Sequence, residues 1–344
     1  MTRARDFSDI DLTRPGYLGS AEKYRARLDG KWAMFKFGEP IEKDASKPLL
    51  ASYDNAPLSE HLACSIIRTI GIPAQKTELG TYRGRIVVAC EDFARNDARR
   101  IELVEFSALE NSMSGGSSAN RVIPELDFTL RVLDEHEWLA PLRDEARERF
   151  WDTIVIDALL GNYDRHAHNW GYLSDVETGD VVALAPIYDC ASSMNPRLSS
   201  SEMEKLLANP EYLRHTVAER PKMCLNVNGK RPRYSDFLLT PEAAPARRSL
   251  LKLEPRIDFA AINALIDEPP LADGLHKAYF KALVSARKAV ILDPALKLAE
   301  QEARTPGMVE PSSLTPPSPV PHASKQQPCG FTVLEGRARG GPRL

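Results

Sequence analysis

Hydrophobic positions change their spacing along the chain, alternating as in strands before about residue 95 and recurring as on helices after it. Lys31–Phe37 (KWAMFKF) alternates, with Trp32, Met34 and Phe35 supplying apolar bulk. Residues 58–70 instead place Leu62, Ile66, Ile67 and Ile70 on one helical face, and Gly71 followed by Pro73 is a stop signal. Residues 75–82 and 85–90, joined through Arg83-Gly84, read as a hairpin ending in Glu91-Asp92-Phe93. From about residue 97 the pattern turns helical. Residues 145–160 form the clearest helix: Phe150, Ile154 and Ala158 lie on one stripe with Trp151, Val155 and Leu159 beside it, and Gly161 ends it. A strand (170–173), a turn rich in Asp, Thr and Gly (175–180) and a second strand (181–185) follow. Residues 241–251, 258–266 and 274–292 read as helices.

Composition narrows the class. The 344 residues suffice for one large domain or two lobes with a tail. With 43% hydrophobic and 27% charged residues the chain is of ordinary globular make-up. A net charge of -3 gives no reason to expect nucleic acid or an anionic membrane as a direct partner, although such an average hides local basic clusters. The five cysteines are scattered and form no C-x-x-C pair, which predicts buried reduced thiols. The polar N-terminus has no apolar leader and no run is long enough to span a bilayer, so a cytoplasmic protein is expected. Proline crowds the segment from Thr305, which predicts a disordered tail. The expected organisation is a β-rich lobe over 1–95, a helical lobe over 96–300 and a tail over 301–344.

The chemistry concentrates between Gly161 and Asp189, in GNYDRHAHNWGYLSDVETGDVVALAPIYD. This is a helix end, a loop D-x-H-x-x-N, a hairpin and then an aspartate. Phosphoryl transfer from ATP needs a carboxylate near the attacking hydroxyl, and an amide oxygen and a second carboxylate to hold Mg²⁺. Asp164 and Asn169 have the five-residue offset of a kinase catalytic loop, and the hairpin returns Asp189 beside Asn169.

The order D-R-H-x-x-N, followed by I-Y-D-C, resembles the HipA-like serine/threonine kinases, whose signature is N-x-D-x-H-x-x-N and then Y-D. The likeness covers most of residues 15–240 and is greatest to the short, stand-alone forms. It implies a two-lobed α+β protein-kinase-like fold, shared distantly with phosphatidylinositol kinases, with a small β-rich N-lobe and a larger helical C-lobe. Carried over by position, Asp164 matches the catalytic base, with His166 orienting the loop. Asn169 and Asp189 match the Mg²⁺ ligands, and Lys36 the strand lysine that meets the ATP phosphates. Glu60 is the candidate partner of Lys36. Glu91 and Phe93 match the hinge that meets adenine, and the loop holding Gly19 and Ser20 lies near the phosphates, with Ser20 a site for autophosphorylation. The resemblance further implies a protein substrate, by analogy a component of translation. The antitoxin-contacting segment of the larger members has no match here, which leaves an antitoxin partner open.

Three other readings remain at this point. The same loop order permits a phosphoinositide or small-molecule kinase. A nucleotide-binding module without catalysis would retain the same pocket. His166 and His168 with Asp164 would also suit a metal-dependent hydrolase.

Overall fold

The computed structural model describes residues 4–13, 22–38, 55–115 and 123–304. Gly19, Ser20 and the segment 305–344 lie outside the described residues. The N-terminal part is a five-stranded sheet formed by β1 (Arg5–Asp6), β2 (Lys23–Leu28), β3 (Lys31–Phe37), β4 (Thr77–Tyr82) and β5 (Arg85–Glu91), with α1 (Ala56–Thr69) between β3 and β4 in the chain. The spatial order is β1-β4-β5-β3-β2. A tight turn joins β2 to β3 through Asp29 and Gly30, both in the left-handed region that such a two-residue hairpin demands. Alternation in β3 sends Ala33, Phe35 and Phe37 into one small core with Phe7, Val87 and Ala89. It therefore sends Lys36 to the opposite face, toward α1. Along α1, Leu62, Ile66 and Ile67 are buried in the large core.

Next come β6 (Ile101–Glu105), α2 (Phe106–Ser114), α3 (Leu126–Glu135) and α4 (Arg143–Leu160). Then follow β7 (Gly171–Asp175), β8 (Val181–Leu184), α5 (Ser200–Ala208), α6 (Pro210–Glu219), α7 (Tyr234–Phe237), α8 (Ala244–Leu253), α9 (Phe259–Asp267), α10 (Gly274–Arg287) and α11 (Asp293–Arg304). Three expectations change here. Residues 101–105, read as part of a helical region, are a strand that pairs with β7 from Ile101↔Asp175 to Glu105↔Gly171. Five residues are too short to show a period, and their partner lies some seventy positions away. The helix over 274–292 ends at Arg287 and passes through a single π-helical turn, Lys288–Leu292, into α11. Residues 301–304, expected in the tail, are the last turn of α11.

The helix α4 is the axis of the large core: Val155, Ile156, Ala158, Leu159 and Leu160 are all inaccessible to solvent. Its C-terminus fixes where the candidate catalytic loop begins. Gly161 adopts φ +68°, and its α-carbon faces the Arg287 guanidinium so closely that an added methyl group would lie about 2.0 Å from it. Arg287 is buried without a carboxylate partner among the described residues, and burial lowers its guanidinium to about 10. It donates to the Leu160 carbonyl and to Asn195 Oδ1 (3.1 Å), so the negative end of the α4 dipole supplies part of its compensation. Among the described residues no helix is long and apolar enough to cross a membrane.

Gly161→Ala should destabilise the fold by about 1–3 kcal/mol from the left-handed backbone alone, more if Arg287 cannot move aside. Urea denaturation against wild type measures this, and an unchanged midpoint would mean that the loop entrance is not constrained.

Candidate active site

Three segments meet at one ammonium group. Lys36 Nζ on β3 lies 3.2 Å from Glu60 Oε2 on α1 and 3.1 Å from Asp189 Oδ1, beyond β8. The Lys36 side chain is 13% exposed and that of Glu60 only 1%, whereas Asp189 is 30% exposed. Burial opposes the charge on Lys36, but Asp189 and Glu60 outweigh it and hold the ammonium well above its ordinary range. Lys36 in turn holds the Asp189 carboxylate well below the usual carboxylate range, with Lys23 adding to the pull. Lys23 pairs with Lys36 across β2 and β3. Asp189 itself has φ +53°, a left-handed conformation that aspartate tolerates better than most residues.

The loop after Gly161 is built around Arg165. Its guanidinium grips buried Asp157 of α4 through Nε (3.0 Å) and a second nitrogen (3.2 Å). It also donates to the Asn169 carbonyl at 2.8 Å and to the Tyr188 carbonyl at 2.5 Å. One side chain thus joins α4, the loop and the residue before Asp189. Burial disfavours its charge, but Asp157 reverses this and the guanidinium stays protonated. The Tyr188 hydroxyl donates back to the His168 carbonyl at 3.1 Å. Asn169 Nδ2 donates to the Asp164 carbonyl at 2.7 Å, which leaves the amide oxygen as its other end. The Asp164 carboxylate is 46% exposed and lies 3.8 Å from His166 Nε2. His168 Nδ1 instead sits 2.6 Å from Glu105 Oε2 and 2.9 Å from Ser107 Oγ. The two imidazoles therefore attend different carboxylates.

The connection between lobes runs through Glu91 and Phe93. The Glu91 N–H donates to the Lys76 carbonyl (2.8 Å), and its own carbonyl accepts from Gln75 Nε2 (2.9 Å). The Glu91 carbonyl keeps a second lone pair beyond the bond from Gln75. Phe93, two residues on, leaves the strand, and no hydrogen bond among the described residues uses its N–H. Its ring is 5.9 Å from that of Tyr188, over a small apolar cluster that includes Leu173 and Ala185. Lys36, Glu60, Asp164, His166, Asn169, Asp189 and Phe93 are thus tied into one region by these contacts.

Arg165, Asp157 and Lys23 are functional-site residues that the motif spacing alone does not mark out. Arg165 had a signal, its place inside the D-R-H motif. The part played by Lys23 emerges only with the β2–β3 register. Beneath the loop, Asp157, Arg165 and Glu110 line a cavity of about 40 Å³ together with Cys224 and Tyr234. Glu110 accepts from Thr129 at 3.4 Å, and burial pushes its carboxyl up to about 7.

A family model described as the HipA-like C-terminal domain matches residues 18–254. The serine/threonine-protein kinase CtkA of Helicobacter pylori strain J99 is 35% identical over 297 residues, 84% of this chain and 87% of the relative. The crystal structure of a Helicobacter pylori proinflammatory kinase CtkA is similar with a TM-score of 0.75 at 30% identity, covering 87% of this chain and 99% of that one. HipA of Shewanella oneidensis MR-1, solved with HipB and operator DNA, matches at a TM-score of 0.52 and 13% identity over 83% of this chain and 67% of that one, a likeness of fold alone. The expected two-lobed α+β fold is borne out by these likenesses.

Arg165→Met should cost about 3–5 kcal/mol by leaving Asp157 buried without its cation, and Arg165→Met with Asp157→Leu should recover most of that loss. Equal destabilisation by the single and double variants in denaturant titrations would count against the pair. For Glu110 the folded value of about 7 lies above the ordinary 4.5, so its contribution is fully present below pH 4.5 and is lost as pH rises through 7. Glu110→Gln should therefore gain stability over wild type as pH rises across that window; parallel pH–stability curves would refute this.

Proposed function

The chain belongs to the family of HipA-like C-terminal domains, and on that premise we propose that it is an ATP- and Mg²⁺-dependent serine/threonine protein kinase. The observation that carries this reading is the bridge from Lys36 to both Glu60 and Asp189, with the exposed Asp164 carboxylate on a loop bonded to the same segment. A binding module would gain nothing from a carboxylate kept accessible beside such a cluster.

ATP lies between the lobes in this reading, its adenine at the Phe93 peptide and over the apolar cluster below it. Lys36, with Lys23 beside it, meets the phosphates. The donor set suits magnesium, since the Asp189 carboxylate and the Asn169 amide oxygen are hard ligands, and Asn169 is already oriented through its nitrogen. Bound there, Mg²⁺ would neutralise the charge gathering on the phosphates. Asp164 orients a Ser or Thr hydroxyl and accepts its proton as the oxygen bonds to the γ-phosphorus of ATP and the bond to the β,γ-bridging oxygen breaks, releasing ADP. The remaining contribution is positioning: Arg165 fixes Asn169 and Asp189 relative to Asp164, so little rearrangement accompanies transfer.

The acceptor is a protein hydroxyl. That it belongs to a component of translation, and that Ser20 is an autophosphorylation site, rest on the resemblance to HipA-like kinases. The enzyme works in the cytoplasm in this reading, where ATP and Mg²⁺ are supplied together.

Labelled ATP with Mg²⁺ should yield phosphorylated protein with wild type, while Asp164→Asn should lower transfer by about 10²–10⁴-fold with ATP binding retained. Asp189→Asn should lower both transfer and nucleotide affinity, as followed by calorimetry. Equal labelling by all three would mean the site is misplaced. ATP binding with no transfer by any of them would favour the binding module.

A further inference from the structure

Residues 220–233 read RPKMCLNVNGKRPR, with five cationic side chains and no carboxylate, in a chain whose net charge is -3. The segment follows α6 and folds as an irregular hairpin: Met223 N–H donates to the Pro232 carbonyl at 2.9 Å, and Val227 and Lys230 bridge at the tip. It is fastened to the candidate catalytic loop by two bonds. Arg231 donates to the Tyr163 carbonyl at 2.8 Å, one residue before Asp164. Tyr234, at the base of the hairpin, donates through its hydroxyl to the Asn162 carbonyl at 3.0 Å.

Four carboxylates, Glu125, Glu219, Asp236 and Glu242 (which accepts from the Asn228 side chain), approach this hairpin, but among the described residues none forms an ion pair with Arg220, Lys222, Lys230 or Arg231. Glu219 pairs with Arg233 at 2.7 Å, and Asp236 lies 3.8 Å from the same guanidinium. Glu125 accepts from the Gly229 N–H at 3.3 Å. Among the described residues Arg220, Lys222 and Lys230 make no ion pair, and Arg231 gives its hydrogen bonds to the neutral carbonyls of Met223 and Tyr163. Arg220, Lys222 and Lys230 are exposed. Like charges held together on one short hairpin repel, and an anionic partner relieves that repulsion.

We propose that this hairpin docks the acceptor polypeptide, and that the acceptor carries acidic residues beside its Ser or Thr hydroxyl. The inference rests on the kinase reading above and names the substrate class of the same site. A hydroxyl brought to Asp164 must carry its flanking residues past Tyr163 and Arg231, so the cations lie where those flanks run. Single-stranded nucleic acid is the other polyanion of suitable size. Its recognition ordinarily adds aromatic stacking faces to the cations, and this hairpin contains none.

The test offers three peptide sets with identical Ser and Thr acceptors, flanked by Asp and Glu, by Ala and Gly, or by Lys and Arg. Each receives labelled ATP and Mg²⁺ with wild-type enzyme and with the Lys222→Glu, Lys230→Glu double variant. The acidic set should exceed the neutral set in kcat/KM by roughly tenfold at low salt, a gap that narrows as salt is added. The double variant should reverse the ranking in favour of the basic set. Equal use of the three sets, or the same ranking in the variant, sinks the docking inference and leaves the kinase reading intact. ATP binding with transfer to none of the sets removes the kinase reading and this inference with it. Competition by a short single-stranded RNA that the variant loses, without any preference for acidic peptides, assigns the hairpin to nucleic acid and overturns the proposal.

Discussion

A buried ammonium must find counter-charge or lose its proton, and the position of Lys36 makes that requirement organise the molecule. Its two partners come from distant parts of the chain, Glu60 from the helix that crosses the sheet and Asp189 from beyond the β7–β8 hairpin. Satisfying one cation therefore fixes a strand, a helix and a turn of the second lobe relative to one another. Such an arrangement is a poor source of net stability, because desolvation offsets most of the attraction. Its value lies in geometry: any opening of the cleft that separates these groups leaves charges unpaired in a low-dielectric setting.

Arg165 solves the complementary problem. Loop backbone has few ladder bonds to hold it, and this loop must keep Asp164 accessible. The buried guanidinium supplies rigidity from beneath by joining α4 to both the Asn169 and Tyr188 carbonyls. Asp164 stays in contact with solvent above it. Rigidity and exposure are thus divided between adjacent residues. The Gly161–Arg287 contact sets the start of the same loop by similar means, with a planar cation filling the space a side chain would take.

Much of this was legible in one dimension. The alternation in KWAMFKF put Lys36 on the face opposite Phe35 and Phe37, and the apolar stripe of α1 placed Glu60 in its first turns. Local spacing sufficed for the Asp164–Asn169 loop, and the intervening hairpin brought Asp189 close. What escaped were features that depend on partners far along the chain. Strand β6 has only five residues and exists because β7 offers it an edge.

By itself the sequence determined the two-regime pattern, the helix and strand identities around the site, and the residue types with kinase-like spacing, because each depends on neighbours within a few positions. The tertiary structure decided which charges meet. The Lys36–Asp189 bridge, the bond from Arg165 to the Tyr188 carbonyl and the placement of a carboxylate-free cationic hairpin against the loop of Asp164 all join residues separated by many positions. Coulomb and hydrogen-bond energies depend on distance in space, and no local periodicity encodes that distance.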